Sequence, residues 1–247
     1  MFSFLARRWF DASIHDIYCG MRAFRVDLYR KLDQRCTGME FATEMIIKAS
    51  LTPGVKIAEV PITLHRDGRQ TQRPHLRTFR DGWRTLRFFL LCTPRWLFLM
   101  PGIVLILLGL LGYALAMPAA TIGGVTFDAH TLLIASLAIL CGYQAVLFAV
   151  LAKTFAVTEG LLPADERFMK LFEIINLERG LLLGAGAFVI GIALLGGAAN
   201  QWRLSGFGPL NYAHTMRWVV PGTLLGALGF QTVLWSFFVS MLGLRRR

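Results

Sequence analysis

The sequence predicts a mostly α-helical membrane protein, in which a partial α/β segment and amphipathic surface helices accompany four transmembrane helices. Three observations carry this. Four uncharged apolar runs, residues 97–117, 131–151, 181–199 and 219–244, are each long enough to cross the hydrocarbon core, which takes about 20 helical residues. The 247 residues are 55% hydrophobic, with a mean hydropathy of +0.54. The net charge of +11 gathers in the first part of the chain and at Arg245, Arg246 and Arg247, as expected of segments held on the cytoplasmic side.

Residues 1–73 are polar enough to be soluble and form the first predicted domain. Phe24, Leu28 and Leu32 recur at helical spacing, as do Phe41, Met45 and Ala49. Pro53-Gly54 marks a turn before a run from Val55 to Leu64 that is rich in β-branched residues. That run reads as a strand, with Pro61 placing it at an edge. Two short helices and one or two strands close no sheet and bury little core, so this segment looks like part of a domain. The opening MFSFLARRWF lacks the long apolar core of a signal peptide. Cys19, Cys36, Cys92 and Cys141 are irregularly spaced and form no C-x-x-C pair.

Residues 74–95 are predicted to form a basic amphipathic juxtamembrane helix ended by Pro94. Helical spacing sets Arg77, Arg80, Arg84 and Arg87 along one side and Phe79, Trp83, Leu86 and Leu90 along another. Such a helix lies in the headgroup layer, with its guanidinium groups facing lipid phosphate. Arg95 and Trp96 then form an interfacial pair.

Residues 96–247 hold the four spans. Residues 118–130 carry no lysine or arginine, 153–179 carry four and 200–218 carry Arg203 and Arg217. This bias predicts both termini on the cytoplasmic side of an integral membrane protein. A second surface helix is expected at 163–179, opened by Pro163 and closed by Arg179 and Gly180. Gly109 and Gly112, or Gly186 and Gly191, offer sites for close helix approach but read as the ordinary glycine content of membrane spans, and Gln144 and Gln231, which could bond between helices, read as packing residues. No apolar run carries a charge, which argues against an ion or proton pathway. No nucleic-acid reading motif accompanies the basic charge, and arginine beside apolar spans meets lipid.

Three runs hold the candidate chemistry. D-I-Y-C-G-M-R-A-F places Asp16 and Arg22 on a segment suited to holding an anion near a base, or joined in a structural salt bridge. G-M-E-F-A-T-E-M stacks Glu40 and Glu44 one turn apart on a helix face. There they share acid and base roles, or else Glu44 pairs with Lys48 and Glu40 serves as a first-turn carboxylate. H-R-D-G-R-Q-T-Q-R-P-H-L-R gathers Arg66, Arg69, Arg73 and Arg77, whose forked guanidinium groups suit phosphate oxygens.

In this order, and followed by E-V-P-I at Glu59 to Ile62 and D-G-W-R-T-L-R-F at Asp81 to Phe88, these runs resemble the C-terminal part of family 2 glycosyltransferases. The likeness is to polyprenyl-phosphate sugar transferases of the dolichol-phosphate mannosyltransferase type, and covers about the first hundred residues by motif and the rest by layout. It implies that residues 1–73 are the remnant of a cytosolic GT-A domain, which moves a sugar from a nucleotide to a polyprenyl phosphate with inversion. By the same resemblance Asp16 and Glu44 are the catalytic candidates, and Arg22, Glu40, Arg66 and Arg69 bind substrate. The expected setting is a prokaryotic plasma membrane, with polyprenyl phosphate and membrane lipid as partners and no nucleic acid. No D-x-D motif occurs in the 247 residues. The resemblance therefore implies that the nucleotide-binding half lies in a longer chain or in a separate one. It also implies that the complete enzyme uses Mg or Mn, that this chain itself holds no cofactor, and that it is inactive alone. The competing expectation is a non-catalytic four-span protein that carries or flips a lipid-linked sugar, or anchors a partner.

Overall fold

A computed structural model describes residues 2–10, 12–34, 40–63, 78–158 and 177–243. The chain divides into two compact units, one running to Trp96 and the other containing the long helices from Leu97 onward.

The first unit holds α1 (Phe2–Phe10), α2 (Val26–Leu32), α3 (Glu40–Leu51) and α4 (Thr78–Cys92). α2 and α3 pack beside each other, with Leu32, Met45 and Ala49 buried between them, whereas Phe24 of the first expected triplet lies before α2 and is exposed. A larger core forms around Phe89 of α4, which receives Phe10 of α1 edge-on at 5.4 Å. Ala6, Ala12, Ile14, Ile17 and Ile47 complete it. The opening residues are thus a structural helix of this unit. The expected strand from Val55 is not formed: residues 55–63 have no regular secondary structure, and Leu64 lies outside the described residues. A strand needs a neighbour to take up its backbone N–H and C=O groups, and the described residues offer none beside it.

A π-helical turn, Arg95–Leu99, precedes α5 (Met100–Ala116), the first long helix of the second unit. A two-stranded hairpin follows, β1 (Thr121–Ile122) and β2 (Val125–Thr126), turned by Gly123 and Gly124 at φ 59° and 81°. Both glycines supply the positive φ that a tight two-residue hairpin turn requires. Then come α6 (Ala129–Thr158), α7 (Leu177–Leu204) and α8 (Tyr212–Gly243). All four long helices are long and apolar enough to cross a membrane. They pack as a row in the order α5, α6, α8, α7, and their outward faces present leucine, isoleucine and phenylalanine.

The helices run past the apolar runs at their ends, so Lys153 lies within α6, Glu178, Arg179 and Arg203 within α7, and Arg217 within α8. Gly180 does not close a helix at 179 but sits inside α7, where Ser236 of α8 packs against it. The remainder of the expected 163–179 helix lies outside the described residues. The glycines have a packing role that composition did not reveal. A Cβ at Gly191 would collide with the Gly226 nitrogen and come 2.7 Å from the Gly222 carbonyl oxygen, and one at Gly109 would come 2.7 Å from the Ala135 carbonyl oxygen. Gly112 meets Ala135 in the same contact, whereas Gly186 has nothing within 4 Å. Hydroxyl pairs add two ties, Tyr113 to Ser136 at 2.6 Å and Tyr143 to Thr232 at 2.5 Å.

Candidate functional site

The segment from Ala12 to Arg25 has no regular secondary structure other than a turn and is held by its own alternation. Ala12, Ile14 and Ile17 enter the core, which leaves His15 and Asp16 outside. Asp16 Oδ1 accepts the Tyr18 backbone N–H at 2.9 Å, closing an aspartate turn. Oδ2 of Asp16 has no hydrogen-bond partner among the described residues.

Arg22 ties this loop down. Its Nε donates to the Cys19 carbonyl at 2.8 Å, its second terminal nitrogen to the Ile17 carbonyl at 2.5 Å, and its first to the Ala42 carbonyl of α3. One planar fork thereby joins three backbone carbonyls, a geometry that lysine cannot copy. Burial pulls the guanidinium down from its ordinary value, while Cys19 and Asp16 act in the opposite sense. Tyr18 extends the loop toward α4. Burial raises its phenol, a hydrogen bond to the Thr85 side chain lowers it, and the Asp81 charge raises it.

The two glutamates stand on α3, beside this loop, and each meets a cation. Glu44 is 3% exposed and pairs with Lys48 one turn on at 2.8 Å. Lys48 also donates to the Asp33 carbonyl at 2.6 Å. Glu40 receives Arg84 of α4 through two bonds, 2.8 Å from Nε and 3.3 Å from a terminal nitrogen. The structure therefore brings Asp16, Arg22 and α3 into one unit, with the glutamate charges balanced. Arg66 and Arg69 lie outside the described residues.

Sequence reasoning missed Glu59. Its Oε1 accepts the backbone N–H of His15 at 2.7 Å and that of Asp16 at 3.2 Å, while Oε2 lies 2.7 Å from His15 Nδ1. The His15 side-chain bond and these two backbone bonds hold the Glu59 carboxyl below its ordinary value. More than 40 residues separate the partners, so no local spacing could have found them; the E-V-P-I run was the only signal.

Among the described residues no cluster of three or more histidine, cysteine, aspartate or glutamate side chains is placed to hold a metal ion. Residues 150–243 match the family model described as the glycosyltransferase family 2 C-terminal transmembrane region. The chain is 36% identical over 237 residues to the low-salt glycan biosynthesis hexosyltransferase Agl6 of Haloferax volcanii. That match takes in 95% of this chain and 55% of the relative, so the chain spans about half the length of the curated protein it matches. No solved structure matches the chain.

Proposed function

We propose that this chain, whose residues 150–243 match the model of the glycosyltransferase family 2 C-terminal transmembrane region, is the acceptor-side and membrane-anchoring part of an enzyme that glycosylates a polyprenyl phosphate. The observation that carries the reading is the state of the carboxylates around the Ala12–Arg25 loop. Glu40 is engaged by Arg84, Glu44 by Lys48 and Glu59 by His15. Asp16 is exposed and keeps one oxygen without a hydrogen-bond partner among the described residues. It is the carboxylate of the loop that is available to an incoming acceptor.

In the proposed reaction a phosphate oxygen of the acceptor forms a bond to the anomeric carbon of the sugar. The bond from that carbon to the nucleotide diphosphate breaks, and the diphosphate leaves with the electron pair. An ionised phosphate is already nucleophilic, so Asp16 takes a proton from a monoprotonated acceptor or orients the acceptor. Glu44 and Glu40 support α3 beneath the loop, and Arg22 fixes its backbone. Arg66 and Arg69 are proposed from the sequence as the phosphate grip. A divalent metal at the leaving diphosphate does not fit the described residues, which gather no ligand set for one, and no step here passes through it.

The test is sugar transfer from a nucleotide-sugar to farnesyl phosphate by the complete enzyme in its native membrane, with the nucleotide-binding half present. Asp16→Asn should lower turnover by about a hundredfold or more, the scale of a lost general base, at unchanged melting temperature. Glu44→Gln should lower the melting temperature, because it takes the charge partner from Lys48, whose side chain is only 13% exposed. Full turnover in Asp16→Asn would remove Asp16 from the mechanism.

A further inference from the structure

We propose that Glu59 is the positioning residue for Asp16: a carboxylate clasp from the 55–63 segment that fixes the backbone at His15 and Asp16 without occupying the Asp16 carboxylate. The inference rests on the acceptor-site reading and names a residue which that reading does not contain. Three contacts carry it, the two backbone N–H groups at 2.7 and 3.2 Å and the His15 ring at 2.7 Å.

The geometry divides the work between two partners. Glu59 takes the N–H groups of residues 15 and 16, which belong to successive peptides, whereas the Asp16 side chain accepts the Tyr18 N–H. Backbone position and side-chain direction of Asp16 are thus set by different partners. Arg22 holds the far end of the same loop through the carbonyls of Ile17 and Cys19. Accepting N–H groups at one end and donating to C=O groups at the other leaves the loop little freedom to turn its aspartate away. His15 adds a third arm: its ring is 80% exposed and anchored through Nδ1, which steadies the carboxylate that holds the backbone. A simple tie between segments would need only one of these contacts. Two adjacent N–H groups on one oxygen, ending at the candidate base, indicate orientation, and placement errors of this kind act on the chemical step more than on binding.

The experiment compares wild type, Glu59→Ala and Glu59→Gln in the native membrane form, with farnesyl phosphate as acceptor. Two readings are taken: kcat and acceptor KM, and hydrogen exchange of the peptide covering residues 12–22. In Glu59→Gln the side-chain amide oxygen can still accept both backbone N–H groups. The expected result is a kcat lowered at least tenfold in Glu59→Ala with acceptor KM changed less than threefold, faster exchange at 15 and 16, and kcat within threefold of wild type in Glu59→Gln. Wild-type kcat in Glu59→Ala overturns the positioning role, as does a kcat loss equal in both variants. A rise in KM with kcat intact overturns it too, because it would make Glu59 a binding element. A complete wild-type enzyme, with its nucleotide-binding half present, that shows no turnover would sink the glycosyl-transfer reading and this role with it, an outcome distinct from an active wild type indifferent to Glu59.

Discussion

Arg84 occupies a position that helical spacing assigns to a lipid-facing basic stripe, yet its guanidinium closes on Glu40 while Arg80 and Arg87 remain exposed. Spacing places a residue on a helix face but does not say which cross-chain partner waits there. With Arg84 38% exposed, solvent weakens the pair, so Arg84→Ala should destabilise the first unit by about 1 kcal/mol. Differential scanning fluorimetry would show this as a small fall in melting temperature. Arg84→Lys should recover only part of it, since lysine lacks the two-pronged fork. Glu59 makes a prediction in pH. Its folded carboxyl is held below the ordinary 4.5, so the clasp contributes its full stabilisation above that value and loses it as pH falls through the lowered one. Exchange at the His15 and Asp16 amides, corrected for intrinsic rate, should stay protected at pH 4.5 and lose protection only at more acidic pH. Loss of protection already at neutral pH would contradict the sign.

Among the elements, the α7–α8 contact depends on glycine. Gly184 and Gly191 of α7 meet Gly229, Gly222 and Gly226 of α8 almost backbone to backbone, the close approach that small residues permit in lipid, where no hydrophobic force draws helices together. Gly191→Val should therefore separate the helices and destabilise the bundle by about 1–3 kcal/mol, the range for overpacking. Gly186→Ala, with nothing within 4 Å, should be neutral or slightly stabilising through helix propensity. Thermal melts in detergent would distinguish the two, and an equal effect at both sites would contradict the contact. The helices themselves were legible in the sequence because each apolar run is long and uninterrupted. Their ends were not, because the polar residues flanking a run extend a helix as readily as they leave it. Glycine content was legible as well, but which glycines face a neighbour depends on how the helices rotate.

For the whole molecule, four spans and the distribution of basic residues predict one sidedness. The β1–β2 hairpin and the residues between α7 and α8 should lie on one side of the membrane, and both chain ends on the other. Single cysteines at Gly123 and Ser205, introduced after replacement of the native cysteines, should react with an impermeant maleimide added outside intact cells. A cysteine placed at Ser13 should react only after lysis. Labelling of Ser13 from outside would reverse the assignment.

The sequence by itself determined the membrane class, the four described helices long and apolar enough to cross a membrane, α3 and most of α2, and the family resemblance of its motifs, because these follow from local periodicity, run length and residue order. Tertiary structure decided what the charges do. It joined Glu40 to Arg84, set Glu44 against Lys48 as one of the two readings allowed, tied Arg22 to three carbonyls and brought Glu59 across to His15 and Asp16. The helical i,i+4 pair was foreseeable from spacing. The others join residues far apart in the chain, or a side chain to a backbone carbonyl, and only the packed fold determines which of those groups come within reach.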